Sequence, residues 1–180
     1  MTLALGVLLG LLAALVVGAS WRGLSETQLR LAPLCLLGMA LQMLFIARID
    51  AVIAPLAAFG PALHTLSYLL VFVFLLANWR VTGVPLLLLG GLLNFAAIAA
   101  NGGQMPRAIP PSDPAGFHNV VAMDENTRLA FLGDWITAPN GQLYSIGDLL
   151  IFAGGAVTAY RLARVRRANH SPPMVLGRFS

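Results

Sequence analysis

Several stretches of 17 or more residues in this chain carry no charged side chain, and this feature constrains the fold more than any other. A helix of about 20 apolar residues is the length that crosses a hydrocarbon layer of about 30 Å. The composition agrees, because 58% of the 180 residues are hydrophobic and only 10% are charged, whereas about a quarter of the residues are charged in an ordinary soluble domain. The sequence therefore predicts an integral membrane protein.

The apolar runs predict an all-α fold, a polytopic transmembrane helix bundle of about five spans. The expected spans are residues 3–19, 31–47, 62–78, 84–100 and 143–160. A single bundle domain would cover 1–168, followed by a flexible cytoplasmic tail at 169–180. The apolar piece 51–60 is too short to cross and is expected at the membrane interface or in a shallow re-entrant turn. No basic residue precedes the first run, so we expect a retained helix and not a cleaved signal peptide.

A polar segment with five prolines, residues 101–142, predicts one long extracytoplasmic loop. Within this loop, residues 124–135 are expected to form a short helix capped by Asp124. That helix would place Leu129, Phe131 and Leu132 against the membrane or the bundle. The loop is then the part of the chain in which externally facing chemistry would be found.

The arginines predict the orientation in the membrane. If the arginine-rich C-terminal tail is cytoplasmic, five spans leave eight of the 11 arginines inside and three outside, which fits an N-terminus outside and a C-terminus inside. The expected location is the cell membrane, a bacterial inner or plasma membrane. The expected partners are the lipid bilayer and either another membrane protein or a second copy of the chain. Nucleic acid is not expected as a partner, because the arginines form no dedicated basic surface.

Small residues recur every four positions along the first apolar run, at Gly6, Gly10, Ala14 and Gly18. This spacing predicts a helix-packing face on which another backbone can approach closely. Packing within the chain and an interface with a partner are both consistent with it. Neither reading points to catalysis.

Asn101, Gly102 and Gly103 follow the fourth apolar run. Paired glycines can adopt conformations that expose backbone amides to an anion or a carbonyl group. The same residues are also typical of a helix C-cap followed by a proline stop. The segment lacks the lysine and the hydroxyl of a phosphate-binding loop, so nucleotide binding is not indicated.

Asp148 lies about one turn inside the last predicted helix. An unpaired carboxylate is costly in lipid, so Asp148 should face the bundle, a cavity or a partner. One reading is structural, with Ser145 as the cap and the helix dipole favouring the negative charge. The other readings are a proton or cation site, and a buried pair with Arg107 or Arg128.

Three segments occur in a fixed order: Asn-Gly-Gly-x-Met-Pro at 101–106, Phe-Leu-Gly-Asp at 131–134 and Ser-Ile-Gly-Asp at 145–148. This combination resembles an uncharacterised family of small bacterial multi-pass membrane proteins. The resemblance implies no activity. It implies that the three segments belong to one recurring unit.

Together these residues define a candidate polar site at the outer face: Asn101, Gly102, Gly103, His118, Asp134, Ser145 and Asp148. No catalytic residue, metal site or cofactor is expected there. His118 lacks a second histidine at the spacing of a metal site, and no serine has the context of a nucleophile elbow.

The sequence therefore favours a non-enzymatic accessory, assembly or binding subunit over a protein with chemistry of its own. The alternative is a membrane-embedded enzyme or small-solute transporter with its site at the outer face. Replacing Asp134 and Asp148 by asparagine would separate these hypotheses.

Overall fold

The computed structural model of the protein describes residues 29–46, 59–109, 120–139 and 141–169. Four α-helices account for most of this part of the chain: α1 (Ala32–Ile46), α2 (Gly60–Ala77), α3 (Val84–Ala100) and α4 (Ile146–Asn169). Between α3 and α4 lie one 3₁₀ turn, Ala130–Leu132, and four short strands: β1 (Met105–Arg107), β2 (Val120–Ala122), β3 (Ile136–Thr137) and β4 (Leu143–Tyr144).

The bounds of the first three helices follow from their terminal residues. A proline occupies the second position of each, at Pro33, Pro61 and Pro85, where its missing N–H is not needed and its fixed φ suits the helix. Asparagine is the C-cap of both α2 and α3, at Asn78 and Asn101.

The helices pack as two pairs, α1 with α2 and α3 with α4, and the contact between α2 and α3 joins the pairs. The core between them contains large apolar side chains from three helices: Val71, Phe72, Leu75, Val84, Leu87 and Ile151. A second cluster at the C-terminal end of α3 brings Ala97 and Ile98 together with Met105 and Leu132. The segment after α3 therefore packs back onto the helices.

Glycines set the close approach of α3 and α4, which run antiparallel. A Cβ atom on Gly154 would lie 2.7 Å from the Leu87 nitrogen and 2.8 Å from the Gly83 oxygen. At the other end, a Cβ on Gly147 would lie 2.6 Å from the Gly90 oxygen. We call these four glycines (83, 90, 147 and 154) the glycine seam. Any larger residue there would push the two backbones apart.

We call the described residues between α3 and α4 (101–109, 120–139 and 141–144) the cap segment. Strands β1 and β2 pair in parallel, with Met105 opposite Val120. Strands β3 and β4 form an antiparallel pair that leads into α4. The cap segment covers the end of α3 at which its apolar residues are buried.

The short helix expected at 124–135 does not form. The Asp124 Oδ1 atom accepts hydrogen bonds from the Asn126 N–H at 2.9 Å and from the Thr127 hydroxyl at 3.1 Å, so the side chain closes a turn. A positive φ of 52° at Leu129 then interrupts any helix before the 3₁₀ turn. Of the three apolar residues expected to face the bundle, Leu132 is buried, whereas Leu129 and Phe131 are exposed.

The prediction of a five-span transmembrane bundle is wrong. The described residues form four helices and short strands, and none of these helices is both long and apolar enough to cross a membrane. With 15, 18 and 17 residues, helices α1 to α3 are about 22–27 Å long at 1.5 Å per residue, less than the hydrocarbon thickness of about 30 Å. Helix α4 is longer, but Asp148 lies in its first turn and its last turns are rich in arginine. The predicted orientation, with the N-terminus outside and the C-terminus inside, was derived from five spans and is therefore no longer supported.

Candidate functional site

Ser145 and Asp148 cap the start of α4 reciprocally. The Ser145 hydroxyl accepts a hydrogen bond from the Asp148 N–H at 3.0 Å, and the Asp148 Oδ2 atom accepts one from the Ser145 N–H at 3.2 Å. This is the geometry of a capping box, with Asp in the place of the usual Glu or Gln. The structure therefore has the serine cap that the sequence suggested for Asp148.

Asn94 of α3 closes this cap into a ring of three side chains. Its Nδ2 donates to the Asp148 Oδ1 at 2.8 Å, and its Oδ1 accepts from the Ser145 hydroxyl at 2.8 Å. All three residues are at most 6% exposed. We call Asn94, Ser145 and Asp148 the cap ring. It joins α3 to α4 through polar contacts inside an apolar interface.

The glycine seam makes the cap ring possible. Gly147 contacts the Asn94 side chain so closely that a Cβ atom would overlap its Oδ1. The candidate site predicted from the sequence does not include Asn94. Asn94 could have been found from the sequence as an amide side chain four residues after Gly90 in an otherwise apolar helix. A glycine at the contact between two helices leaves room for a polar side chain one turn away.

Asp134 lies at the point where parts of the cap segment meet. Its N–H donates to the Pro106 oxygen at 2.8 Å, and its carbonyl oxygen accepts from the Ala108 N–H at 2.9 Å. The pKa of its carboxyl group is raised to about 7, mainly by burial and in addition by the charge of Asp148, while Arg107 acts in the opposite direction. The carboxyl groups of Asp134 and Asp148 thus influence each other electrostatically.

Tyr68 of α2 completes the cluster of titratable groups. Burial raises the pKa of its phenol, and the charges of Asp148 and Asp134 add to that effect. Its ring packs at 5.3 Å from the rings of both His64 and Phe95. The phenol therefore lies within electrostatic range of both acids, held there by aromatic contacts.

The Asn101–Gly103 segment has the geometry of a helix C-cap. The Gly103 N–H donates to the Ile98 oxygen at 2.9 Å, the long bond of a Schellman motif. Both glycines have a positive φ, 69° at Gly102 and 89° at Gly103. The Asn101 Nδ2 donates to the Ala97 oxygen at 2.8 Å, which completes the cap with a side chain.

The same asparagine also anchors the cap segment. Its Nδ2 donates to the Arg128 oxygen at 2.7 Å, and its Oδ1 accepts from the Arg128 N–H at 3.0 Å. Asn78 makes an equivalent pair of bonds with the backbone of Arg30, at 2.8 and 3.0 Å. Both C-cap asparagines thus hold a distant backbone segment against the end of their helix.

The structure brings three of the predicted site residues together, namely Asp134, Ser145 and Asp148, and adds Asn94 and Tyr68. Asn101, Gly102 and Gly103 serve as the cap of α3. His118 and the packing face Gly6, Gly10, Ala14 and Gly18 lie outside the described residues. Among the residues that the structure describes, no group of three His, Cys, Asp or Glu side chains is arranged to hold a metal ion.

Comparison with known proteins gives one match. The profile of a family of unknown function, DUF5317, matches residues 26–160, a region that contains the cap ring and the cap segment. No curated protein and no solved structure matches the chain. The predicted membership of an uncharacterised family is confirmed over residues 26–160. The role of the Asn-Gly-Gly-x-Met-Pro motif and the membrane character of the family stay predictions. The chain belongs to the DUF5317 family of unknown function.

Proposed function

We propose that this protein is a membrane-bound, non-enzymatic accessory or binding subunit that works by association with lipid and with another membrane protein. The observation that carries the proposal is the exposure of leucines and other apolar side chains on the outer faces of the helices, while several hydrogen-bonded polar groups are buried between the helices.

The outer face of α2 is an apolar stripe at helical spacing. Its members are between 44% and 55% exposed: Leu66, Leu69, Val73 and Leu76. Helices α3 and α4 have exposed leucines of their own at Leu89, Leu92 and Leu149. An exposed apolar stripe such as that of α2 is typical of a protein or membrane contact.

The inward-facing side chains of the same helices include polar groups that bond to the protein. In α2, Ser67 is fully buried and donates to the His64 oxygen at 2.6 Å. In the cap ring, the Asn94 amide and the Ser145 hydroxyl are engaged with Asp148. Because the polar groups of the cap ring are hydrogen-bonded to one another, a structural role for the ring is favoured over a role in catalysis.

The proposal is tested by fractionation and copurification of the tagged full-length protein. We expect it to stay in the membrane pellet through washes with high salt and alkaline carbonate, and to be released by detergent. From gently solubilised membranes, it should be recovered with a stoichiometric protein partner after chemical crosslinking. Release by salt alone, or recovery of a lone monomer with a turnover activity, would contradict the proposal.

The alternative, a small-solute transporter or enzyme, is favoured by one observation, the raised pKa of Asp134, to which burial and the charge of Asp148 contribute. The variant Asp148→Asn separates the two. A lower melting temperature and lower abundance fit a ring that anchors the fold. A normal melting temperature combined with loss of the cellular phenotype would instead fit a site of chemistry.

A further inference from the structure

We propose that one end of the helix bundle is a docking surface for a membrane that contains anionic phospholipid, with exposed arginines that contact the lipid phosphates. The inference rests on the proposed association with lipid and adds the class of lipid. We call Arg30, Trp79, Arg80, Tyr160 and Arg161 the basic end. It lies where α1 and α3 begin and α2 ends, beside the later part of α4.

The Asn78 side chain holds the start of α1 against the end of α2. Its Oδ1 accepts a hydrogen bond from the Arg30 N–H at 3.0 Å, and its Nδ2 donates to the Arg30 oxygen at 2.8 Å. Trp79 and Arg80 follow Asn78 directly in the chain, and the Arg80 Cζ atom lies 5.7 Å from the centre of the Trp79 ring. Arg30 and Arg80, which are far apart in the sequence, thus lie at the same end of the bundle.

The turn between α2 and α3 packs on α4 at this end. A Cβ on Gly83 would lie 2.6 Å from the Thr158 nitrogen, and Arg161 follows Thr158 within one turn of the helix. The side chain of Arg161 is exposed, as are those of Arg30 and Arg80. Three arginines from three segments therefore reach the surface at one end of the bundle.

Charge is divided between the two ends of the bundle. The acids that the structure describes are all at the opposite end, in the cap segment or in the first turn of α4: Asp124, Glu125, Asp134 and Asp148. Arg107 and Arg128 lie there too. Within the described residues, the basic end thus has three exposed arginines and no acid, and helix α4 continues with Arg164, Arg166 and Arg167. A surface with such an excess of one charge attracts anions.

The basic end continues the apolar stripe of α2. The Trp79 N–H donates to the Leu76 oxygen at 3.3 Å, so the last leucine of the stripe leads directly into Trp79 and Arg80. Trp79 is 57% exposed and Tyr160 is 37% exposed. Leucine, then Trp or Tyr, then Arg is the order of side chains expected from hydrocarbon to headgroups at a membrane surface. This order favours lipid over nucleic acid, whose phosphate backbone offers no hydrocarbon to the leucines.

Anionic headgroups match the arginines in charge and in geometry. A guanidinium group is planar, stays charged and can donate two parallel hydrogen bonds to a phosphate. The attraction of one arginine to a negatively charged membrane surface corresponds to about a fivefold gain in binding. Zwitterionic headgroups have the same phosphate but no net charge. The basic end should therefore prefer phosphatidylglycerol to phosphatidylcholine.

Lipid retention by the detergent-purified full-length protein tests this preference. The protein is washed on an affinity resin with mixed micelles that contain equal amounts of the two lipids, and mass spectrometry quantifies both in the eluate. We expect enrichment of phosphatidylglycerol, which should decrease between about 0.05 and 0.5 M salt because screening weakens the attraction. The total amount of retained lipid reports on the proposed association with lipid, whereas the ratio of the two lipids reports on the basic end.

Three variants complete the experiment. The triple variant Arg30→Gln, Arg80→Gln, Arg161→Gln should lower the enrichment by about fivefold for each arginine removed. Lysine at the same three positions keeps the charge and should keep most of the enrichment, which separates loss of charge from loss of folding. Arg128→Gln removes an exposed arginine at the opposite end, leaves its backbone bonds to Asn101 in place, and should match the wild type.

Equal retention of the two lipids by the wild type would overturn the proposal, as would equal losses of enrichment in Arg128→Gln and the triple glutamine variant. Displacement of phosphatidylglycerol by inorganic phosphate at constant ionic strength, or by an oligonucleotide, would also overturn it. The surface would then bind phosphate groups in general and not a lipid membrane.

Discussion

At Asn94, one side-chain amide satisfies two partners on another helix. Replacement by leucine keeps the approximate shape but leaves Asp148 Oδ1 and the Ser145 hydroxyl without those bonds. A buried hydrogen bond to a charged group contributes about 1.5–3 kcal/mol. We therefore expect Asn94→Leu to lower the free energy of unfolding by about 2–3 kcal/mol, measured by chemical denaturation. Asn126→Leu, at an exposed position of the cap segment, is the control and should differ from the wild type by about 0.5 kcal/mol or less.

Asp134 predicts the direction in which stability changes with pH. Its folded-state pKa of about 7 exceeds the ordinary value of 3.8 for an aspartate, so the folded protein binds more protons than the unfolded chain between these pH values. Stability contributed by this group is therefore largest in acid and falls as the pH rises from about 4 to about 7.

Thermal melting at a series of pH values checks this dependence. The wild-type melting temperature should fall over that interval, and Asp134→Asn should remove that part of the fall. Each unit of difference between the folded-state and unfolded-state pKa of Asp134 corresponds to about 1.4 kcal/mol in the free energy of unfolding. A variant whose melting curve follows the wild type at every pH would show that another group is responsible.

At the scale of single residues, local patterns predicted the serine cap of α4 and the glycine cap of α3. They did not predict Asn94 as the third member of the ring, because its partners lie about 50 residues away along the chain. Asp134 and Asp148 were assigned to the same candidate site, but the raised pKa of Asp134 was not predicted, since it depends on how the cap segment buries that side chain.

Among the elements, the packing of α3 on α4 depends on the glycine seam. A Cβ on Gly154 would contact backbone atoms of α3 that cannot rotate away, at 2.7 and 2.8 Å. We expect Gly154→Ala to destabilise the protein by about 1–3 kcal/mol through overpacking, despite the gain of about 1 kcal/mol in helix propensity.

Gly91→Ala provides a matched control for this prediction. The nearest atom to a Cβ on Gly91 is the Cε1 of Phe72 at 3.0 Å, which belongs to a side chain and not to the backbone. This variant should be as stable as the wild type or slightly more stable. Equal losses of stability in Gly91→Ala and Gly154→Ala, measured by denaturation, would show that the seam has no special role.

Helices were the most predictable elements, because apolar runs marked α1, α2 and α3 to within about two residues at each end. The cap segment was the least predictable. Its strands contain two or three residues each and depend on partners elsewhere in the fold. The expected helix at 124–135 failed because side-chain hydrogen bonds to Asp124 compete with helical backbone bonds.

Over the whole molecule, the exposed leucines of α2 make the proposed lipid contact testable. The double variant Leu69→Lys, Val73→Lys places two charges in the middle of the apolar stripe, where contact with hydrocarbon would be unfavourable for a charged side chain. We expect most of this variant to be lost from the membrane fraction after a carbonate wash. Thr82→Lys, Asn126→Lys adds the same charge at exposed positions outside the helices and should fractionate like the wild type. If the stripe variant also stays in the membrane fraction, the proposed contact between the outward face of α2 and lipid is wrong.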